Sequence, residues 1–359
     1  MRKTFLASIL LISTLILSGC QGSAYSAIEE GAEWFLLNQD ENFIYYEYSA
    51  RDDKWSDSHH SMREMGALWS INLAANFLED ERLFDLGQSG YDYFKESFIY
   101  DLDNDFYFVN ITPHKIKLGY SAFAILTLLE VKDENKDYLL EKFANGIIHQ
   151  QEDSGELLTF FYDDRDTGVD YYPGEALLAL MSLYEYTGNE DYLNAVQKAF
   201  PYYVDYWRDE PNTAFVPWQT QAYYKLYQST ESEEVADFIF EMNDYMIKEH
   251  AEFDEVCGNF DFSSGIVTAV YVEGINHAYM LADELEDKDR KHCYKKFIKQ
   301  GLGAVMDLQF PLDDQDEDDY GDAAFGGFFG SETGTKMRVD RNQHALMALM
   351  KATELGLVN

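Results

Sequence analysis

Cysteine and proline are scarce in this chain of 359 residues, with three of the former and six of the latter. Cys20, Cys257 and Cys293 form no CxxC or Cys/His cluster at metal-ligand spacing, so neither a zinc site nor any other metal or cofactor is expected. Positive charge is scarce too: 27 Lys and Arg face 66 Asp and Glu, for a net charge of −39. Nucleic acid is thereby excluded as a partner, since phosphate binding needs a basic footprint. Long polyanionic polysaccharides are disfavoured, although a local basic pocket could still hold one uronate. No Gly-rich phosphate loop, nucleophile elbow or HExxH is present. The acidic stretches "DLDNDF" and "DDQDEDDYGD" lack the glycine and glutamate offsets of an EF-hand and read as solvated loops. No Pro-rich or Ser/Gly-rich linker divides the chain, and residues 25–359 read as one domain with ample length for a large core.

Only one long hydrophobic run occurs, and it lies at the start. Arg2 and Lys3 precede an apolar segment from Phe5 to Leu17, too short to span a bilayer comfortably. It ends in Leu17-Ser18-Gly19-Cys20, which resembles the lipobox of bacterial lipoproteins. By that resemblance residues 1–19 are a signal peptide, Cys20 is lipidated and residues 20–24 form a short tether. The protein is then exported and held to a cell membrane by its anchor. Cys257 and Cys293 are free to pair in such a setting, a question that sequence leaves open.

What fills the rest is helix. Apolar residues recur at helical period near 25–38, 57–78, 80–98, 118–131, 135–151, 171–187, 189–207, 215–230, 231–250, 263–285, 287–309 and 338–355. Two kinds alternate. Segments such as "GALWSINLAANFL", "GYSAFAILTLLEV" and "GEALLALMSLYEY" are apolar around much of their circumference; "NEDYLNAVQKAFPYYVDYW" and "EEVADFIFEMNDYMIKEH" carry a charged face. Within each pair the turn is short and acidic ("EDER", "GNED", "TESEE"), while connections between pairs are long and aromatic. A period of about fifty residues with this alternation signals a helical-hairpin repeat. The first and last helices lack a partner and would complete each other if the array closed into a ring.

The chain resembles an (α/α)6 toroid of the six-hairpin glycosidase type over essentially its whole mature length, and the phrase "YTGNEDYLNAVQKA" is similar to one that recurs there. The implied fold is all-α, a barrel of about twelve helices in six hairpins, with the long loops gathered at one mouth.

Polar residues at the starts of the inner helices are then the informative ones. Sliding the hairpins over one another aligns Glu175 with His344, and counting back from the turns places Glu273 at the same depth. Around them stand Asp57, His59, His60, Arg63 and Glu64 on the first inner helix, Trp218, Gln219 and Gln221 on the fourth, and Arg338, Asp340, Arg341, Gln343 and His344 on the last. Glycoside cleavage needs one protonated and one ionised carboxyl group. Asp340, between two arginines in sequence, suits the ionised role; Glu175, among tyrosines, suits the protonated one; Glu273 could replace either. His59, His60, Arg63, Tyr172, Trp218, Gln219, Arg338 and His344 are candidate substrate contacts, because aromatic faces stack on sugar rings while polar groups bond hydroxyls.

The leading expectation is a lipid-anchored glycoside hydrolase acting on short oligosaccharides. The same fold also hosts lyases and epimerases, which the histidines and Arg63 keep open, and a non-catalytic glycan-binding or scaffold lipoprotein is the remaining alternative.

Overall fold

The computed structural model describes residues 23–41, 43–111, 115–251, 257–311 and 320–359. The leader, Cys20 and most of the acidic run "DDQDEDDYGD" lie outside the described residues. Twelve α-helices are present among them: α1 (Ala24–Leu37), α2 (Ser61–Leu78), α3 (Glu81–Lys95), α4 (Leu118–Glu130), α5 (Lys136–His149), α6 (Tyr172–Thr187), α7 (Glu190–Asp209), α8 (Val216–Thr230), α9 (Glu233–Glu249), α10 (Val267–Glu284), α11 (Lys288–Met306) and α12 (Val339–Glu354). Helices α2, α4, α6, α8, α10 and α12 each pack against the next, and α12 returns to α2, so the inner ring is closed. Each of α3, α5, α7, α9 and α11 lies outside the helix before it, and α1 covers α12. This is the (α/α)6 toroid.

The sequence gives each layer its place. Along α4, every residue from Leu118 to Leu128 is buried, as is the run from Pro173 to Met181 on α6, because both faces of an inner helix meet protein. The outer helix α7 buries only one stripe, including Tyr192, Val196, Ala199 and Tyr203. Three of the inner helices, α2, α6 and α8, end alike: Glu79, Gly188 and Glu231 each adopt the left-handed conformation at the C-cap, with a backbone N–H returned to the last turn. The next helix then starts at once, with Asp80, Asn189 and Asp287 accepting from the first-turn N–H groups of α3, α7 and α11.

Closure is pinned by polar contacts between the chain's two ends. Gln309 Nε2 donates to the carbonyl of Ala27 at 2.8 Å, and Asn38 Nδ2 donates to the carbonyl of Ala323 at 3.0 Å. Both side chains are buried, so these bonds also spare their amides the cost of desolvation without a partner.

Two features depart from the helical expectation. The long connections carry short strands. β1 (Glu47–Ser49) pairs antiparallel with β2 (Lys54–Trp55) and with Lys336–Arg338, which becomes β5 after the hairpin β3 (Phe98–Asp101) and β4 (Phe106–Val109). The segment "DLDNDF" is the turn of that hairpin, where Asp101 accepts from the backbone of Asp103 and Asn104. Helices α2 and α10 also begin later than the periodicity predicts, at Ser61 and Val267 rather than 57 and 263. Cys257 and Cys293 lie within hydrogen-bond reach of each other, and burial followed by that hydrogen bond pushes the Cys293 thiol well up. Among the described residues no helix is long and apolar enough to cross a membrane.

Glycine sets the spacing where inner helices touch. A Cβ on Gly274 of α10 would stand 2.7 Å from the Cα of Pro217 on α8, a backbone atom that no side-chain rotation can move. Gly274→Ala is expected to cost about 1–3 kcal/mol, read as a lower urea midpoint at unchanged m-value; an unshifted midpoint would mean that α8 and α10 are not held this close.

Candidate functional site

Four inner helices open on unusual residues. The N-cap positions of α2, α4, α6 and α12 are His60, Lys117, Tyr171 and Arg338, and none makes a side-chain capping bond. A cation at a helix start opposes the helix dipole and costs about 0.3–1 kcal/mol. Lys117 and Arg338 therefore do not serve their own helices. Together with Arg63 they concentrate positive charge at the long-loop mouth of a strongly acidic chain.

Asp340, in the first turn of α12, is clamped by these cations. Arg338 Nε and Nη2 donate to its two carboxylate oxygens at 3.0 and 2.7 Å, and Arg63 Nε lies 3.1 Å from Oδ2. Such a fork with a second cation beside it fixes the position and orientation of the carboxylate. Arg63 also donates to the Tyr46 hydroxyl, and the Tyr46 ring stacks on His60 at 5.8 Å between centroids. Burial lowers the pKa of His60, and the charges of Arg63 and Lys117 lower it further, so its imidazole is neutral at physiological pH. Its Nδ1 is buried with no hydrogen-bond partner.

Glu175 sits one turn into α6, buried against the start of α4. Its Oε2 stands 2.2 Å from where a Cβ on Gly119 would be, so glycine there makes the room that this carboxyl occupies. That oxygen has no hydrogen-bond partner. Burial pushes the pKa of Glu175 up to about 8, and Lys117 and then His344 only partly offset it. A carboxyl group protonated at neutral pH and one clamped by two guanidinium groups thus face the same end of the ring. Lys117 in turn lies over the rings of Tyr120 and Tyr172, 5.6 and 5.5 Å from their centroids.

Glu273 and His344 meet between the neighbouring inner helices α10 and α12, with Nδ1 of His344 2.9 Å from Oε1 of Glu273. Burial alone would lower the pKa of His344, but the charge of Glu273, then those of Asp340 and Glu175, outweigh it and raise it. Burial also raises Glu273, against the pull of His344. Near neutral pH the pair therefore keeps at least one proton.

The other residues singled out in the sequence divide by position. Trp218 is buried in the lumen, 6.3 Å from Trp69, 5.8 Å from Phe123 and 6.2 Å from His344 between ring centroids. These four rings, from α2, α4, α8 and α12, cluster together inside the ring of helices. Gln219 is fully buried and both its amide atoms lack partners. The side chain of His59 is 58% exposed and pairs with Glu64 at 3.1 Å, outside the cluster just described. Tyr172 is half-buried beneath Lys117. Lys117 and Tyr46 were not singled out by sequence. For Lys117 a usable signal existed, since it immediately precedes an inner helix just as Arg338 does; Tyr46 lies on a loop whose path no periodicity gives.

No protein-family model matches the sequence, and no curated protein matches it significantly. Solved structures do match. A GH76 alpha-mannanase of Bacteroides thetaiotaomicron aligns at a TM-score of 0.65 and 10% identity, over 94% of this chain and 97% of that one. The GH76A alpha-1,6-mannanase of Salegentibacter sp. HEL1_6 gives 0.66 and 11%, over 92% and 99%. The unsaturated glucuronyl hydrolase of Bacillus sp. GL1 gives 0.64 and 13%, over 93% and 97%. At these identities the likeness establishes the shared fold.

The raised pKa of Glu175 has a sign that can be tested. An unfolded chain loses this proton near the ordinary carboxyl value, whereas the folded protein holds it to about 8. Its stabilising effect is fully present at low pH and is lost as pH rises through that window. Relative to wild type, Glu175→Gln should gain on the order of 3 kcal/mol between about pH 5 and about pH 9. Denaturation curves of the two proteins that run parallel across that range would show that Glu175 ionises normally.

Proposed function

We propose that the protein is a glycoside hydrolase acting on short oligosaccharides at the long-loop mouth of the toroid. The observation that carries this is the contrast between two carboxyl groups at one end of the ring: Glu175 is buried with no partner on Oε2, and Asp340 is clamped by Arg338 and Arg63. In the proposed reaction Glu175 gives its proton to the glycosidic oxygen as the C–O bond breaks. Asp340 acts on the anomeric side as base or nucleophile, and water supplies the new hydroxyl. Lys117, through its attraction to ionised Glu175, would stabilise the carboxylate left once the proton has gone, and water would return that proton at the end of the turnover. Tyr172 offers a ring face, and Arg63 and Arg338 offer donors for hydroxyls or for a single uronate. Support of a general kind comes from the solved structures of the same fold, which include mannanases and a glucuronyl hydrolase, and from an inactive variant of the Salegentibacter enzyme in complex with alpha-1,6-mannotriose.

The test is a panel of neutral and uronate-containing oligosaccharides, with products read by mass. Cleavage with addition of water should fall about 100- to 10,000-fold in Glu175→Gln and in Asp340→Asn. Retention of a sugar without turnover by wild type and both variants alike would overturn the hydrolase in favour of a binding protein. One observation favours a second reaction: neutral His60, with its unpartnered Nδ1 beside Arg63 and Lys117, is equipped as a base next to a carboxylate-binding clamp. Unsaturated products that disappear in His60→Ala, but persist in Asp340→Asn, would identify a lyase instead.

We further propose that the chain is exported and anchored through a lipid on Cys20. Cys20→Ser should move the protein from the membrane fraction to the soluble one; unchanged partitioning would exclude a lipid at that residue.

A further inference from the structure

One cavity lies away from the mouth. It opens among the C-terminal halves of the inner helices, at the end of the toroid where the short turns gather, and has a volume of about 450 Å3. That is within the size range of small-molecule sites. Trp69, whose ring belongs to the aromatic cluster in the lumen, forms part of its floor together with Glu273. Glu273 is only 3% exposed, and although Oε1 meets His344, Oε2 is buried without any partner. Beside it His277 donates from Nδ1 to the Glu273 carbonyl at 3.0 Å. Burial lowers the pKa of His277 to about 3, so it stays neutral and its Nε2 is left as an acceptor.

The chemistry of the wall limits the occupant. Leu129, Leu178 and Met347 supply apolar surface, but a plain hydrocarbon would strand Glu273 Oε2 and His277, which is costly for buried polar atoms. The charges at the rim are already matched: Lys225 with Glu185 at 2.5 Å, Lys351 with Glu354 at 2.7 Å, and Glu130, which accepts from the Asn76 amide at 2.8 Å, with the nearby charge of Lys136. No unbalanced charge of either sign therefore asks for an ion. What fits is an uncharged ring with one apolar face and several hydroxyls, each able to donate or accept.

We propose that this cavity is a second carbohydrate site, taking a neutral mono- or disaccharide with its ring face on Trp69 and hydroxyls on Glu273 Oε2 and His277 Nε2. The site stands apart from the mouth and does not depend on the reaction assigned there.

The test is saturation-transfer NMR on the full chain with D-glucose, D-mannose, D-galactose and cellobiose, and with hexylamine and hexanoate as charged amphiphiles. Leu129→Trp fills the cavity from the rim, Ser182→Leu fills it from α6, and Asp340→Asn changes a side chain of the mouth while leaving the cavity wall and its volume as they are. At least one neutral sugar should bind the wild type and Asp340→Asn alike, and bind Leu129→Trp about tenfold or more weakly. If Leu129→Trp does not fold, Ser182→Leu gives the same reading, and density between Trp69 and Glu273 in a crystal soaked with the responding sugar gives it without substitution. Sugar binding that survives cavity filling, or is lost in Asp340→Asn, assigns all binding to the mouth and overturns the proposal. So does the absence of any neutral-sugar signal, or binding by hexylamine or hexanoate that the sugars do not displace.

Discussion

Six inner helices form a ring only if the last one finds the first. Every other feature of the molecule depends on that contact between α12 and α2, and the contact depends on both ends of the chain. Helix α1 has no outer partner in sequence; it becomes the outer partner of α12. The buried amides of Gln309 and Asn38 then tie α1 and the segment behind it to the loops that precede α12. An open array of the same hairpins would leave the apolar surface of α12 without cover. Closure instead creates an interior that is dry, narrow and lined from six directions, and that interior sets the chemistry.

A dry ring penalises every charge placed in it, and the chain answers differently at each position. Glu175 has no ion-pair partner among the described residues, and burial holds its proton against the pull of Lys117 and His344. Asp340 stands between two guanidinium partners. His60 is discharged by burial and by its cationic neighbours, while the charge of Glu273, with Asp340 behind it, raises His344 despite its burial. Groups of one chemical kind thus reach different settings through their surroundings. The overall excess of acid says nothing about this end of the molecule, where Arg63, Lys117 and Arg338 gather.

Much of the architecture was legible because helical periodicity survives in a single sequence. The alternation of all-round apolar helices with one-faced ones told inner from outer, and the short acidic turns told which end was which. What periodicity could not carry was the long loops. β1, β2 and β5 are two to three residues each, below the length at which a two-residue alternation can be recognised, and their pairing joins segments almost 290 residues apart. The late starts of α2 and α10 have a related cause, since "SDSHH" and "FSSG" are polar stretches that a loop and a first helical turn use equally well. In the site, the common register of Glu175, Glu273 and His344 was visible, and Glu273 and His344 do meet. That Glu175 turns toward α4 was not visible, because the cause is a missing side chain at Gly119 rather than any property of Glu175.

The cluster of four aromatic rings in the lumen gives His344 a special place. Its ring packs on Trp218 within that cluster, its Nδ1 reaches Glu273 on the floor of the far cavity, and it feels the charges of Asp340 and Glu175 at the mouth. A proton held between His344 and Glu273 therefore depends on the ionisation of the mouth carboxylates, and their ionisation depends on it in return, since coupling between sites is reciprocal. The aromatic cluster between the two ends does not isolate one from the other, because that packed interior is low in dielectric and screens little. A toroid closed tightly enough to bury a protonated carboxyl at one end cannot isolate that carboxyl from a charge at the other.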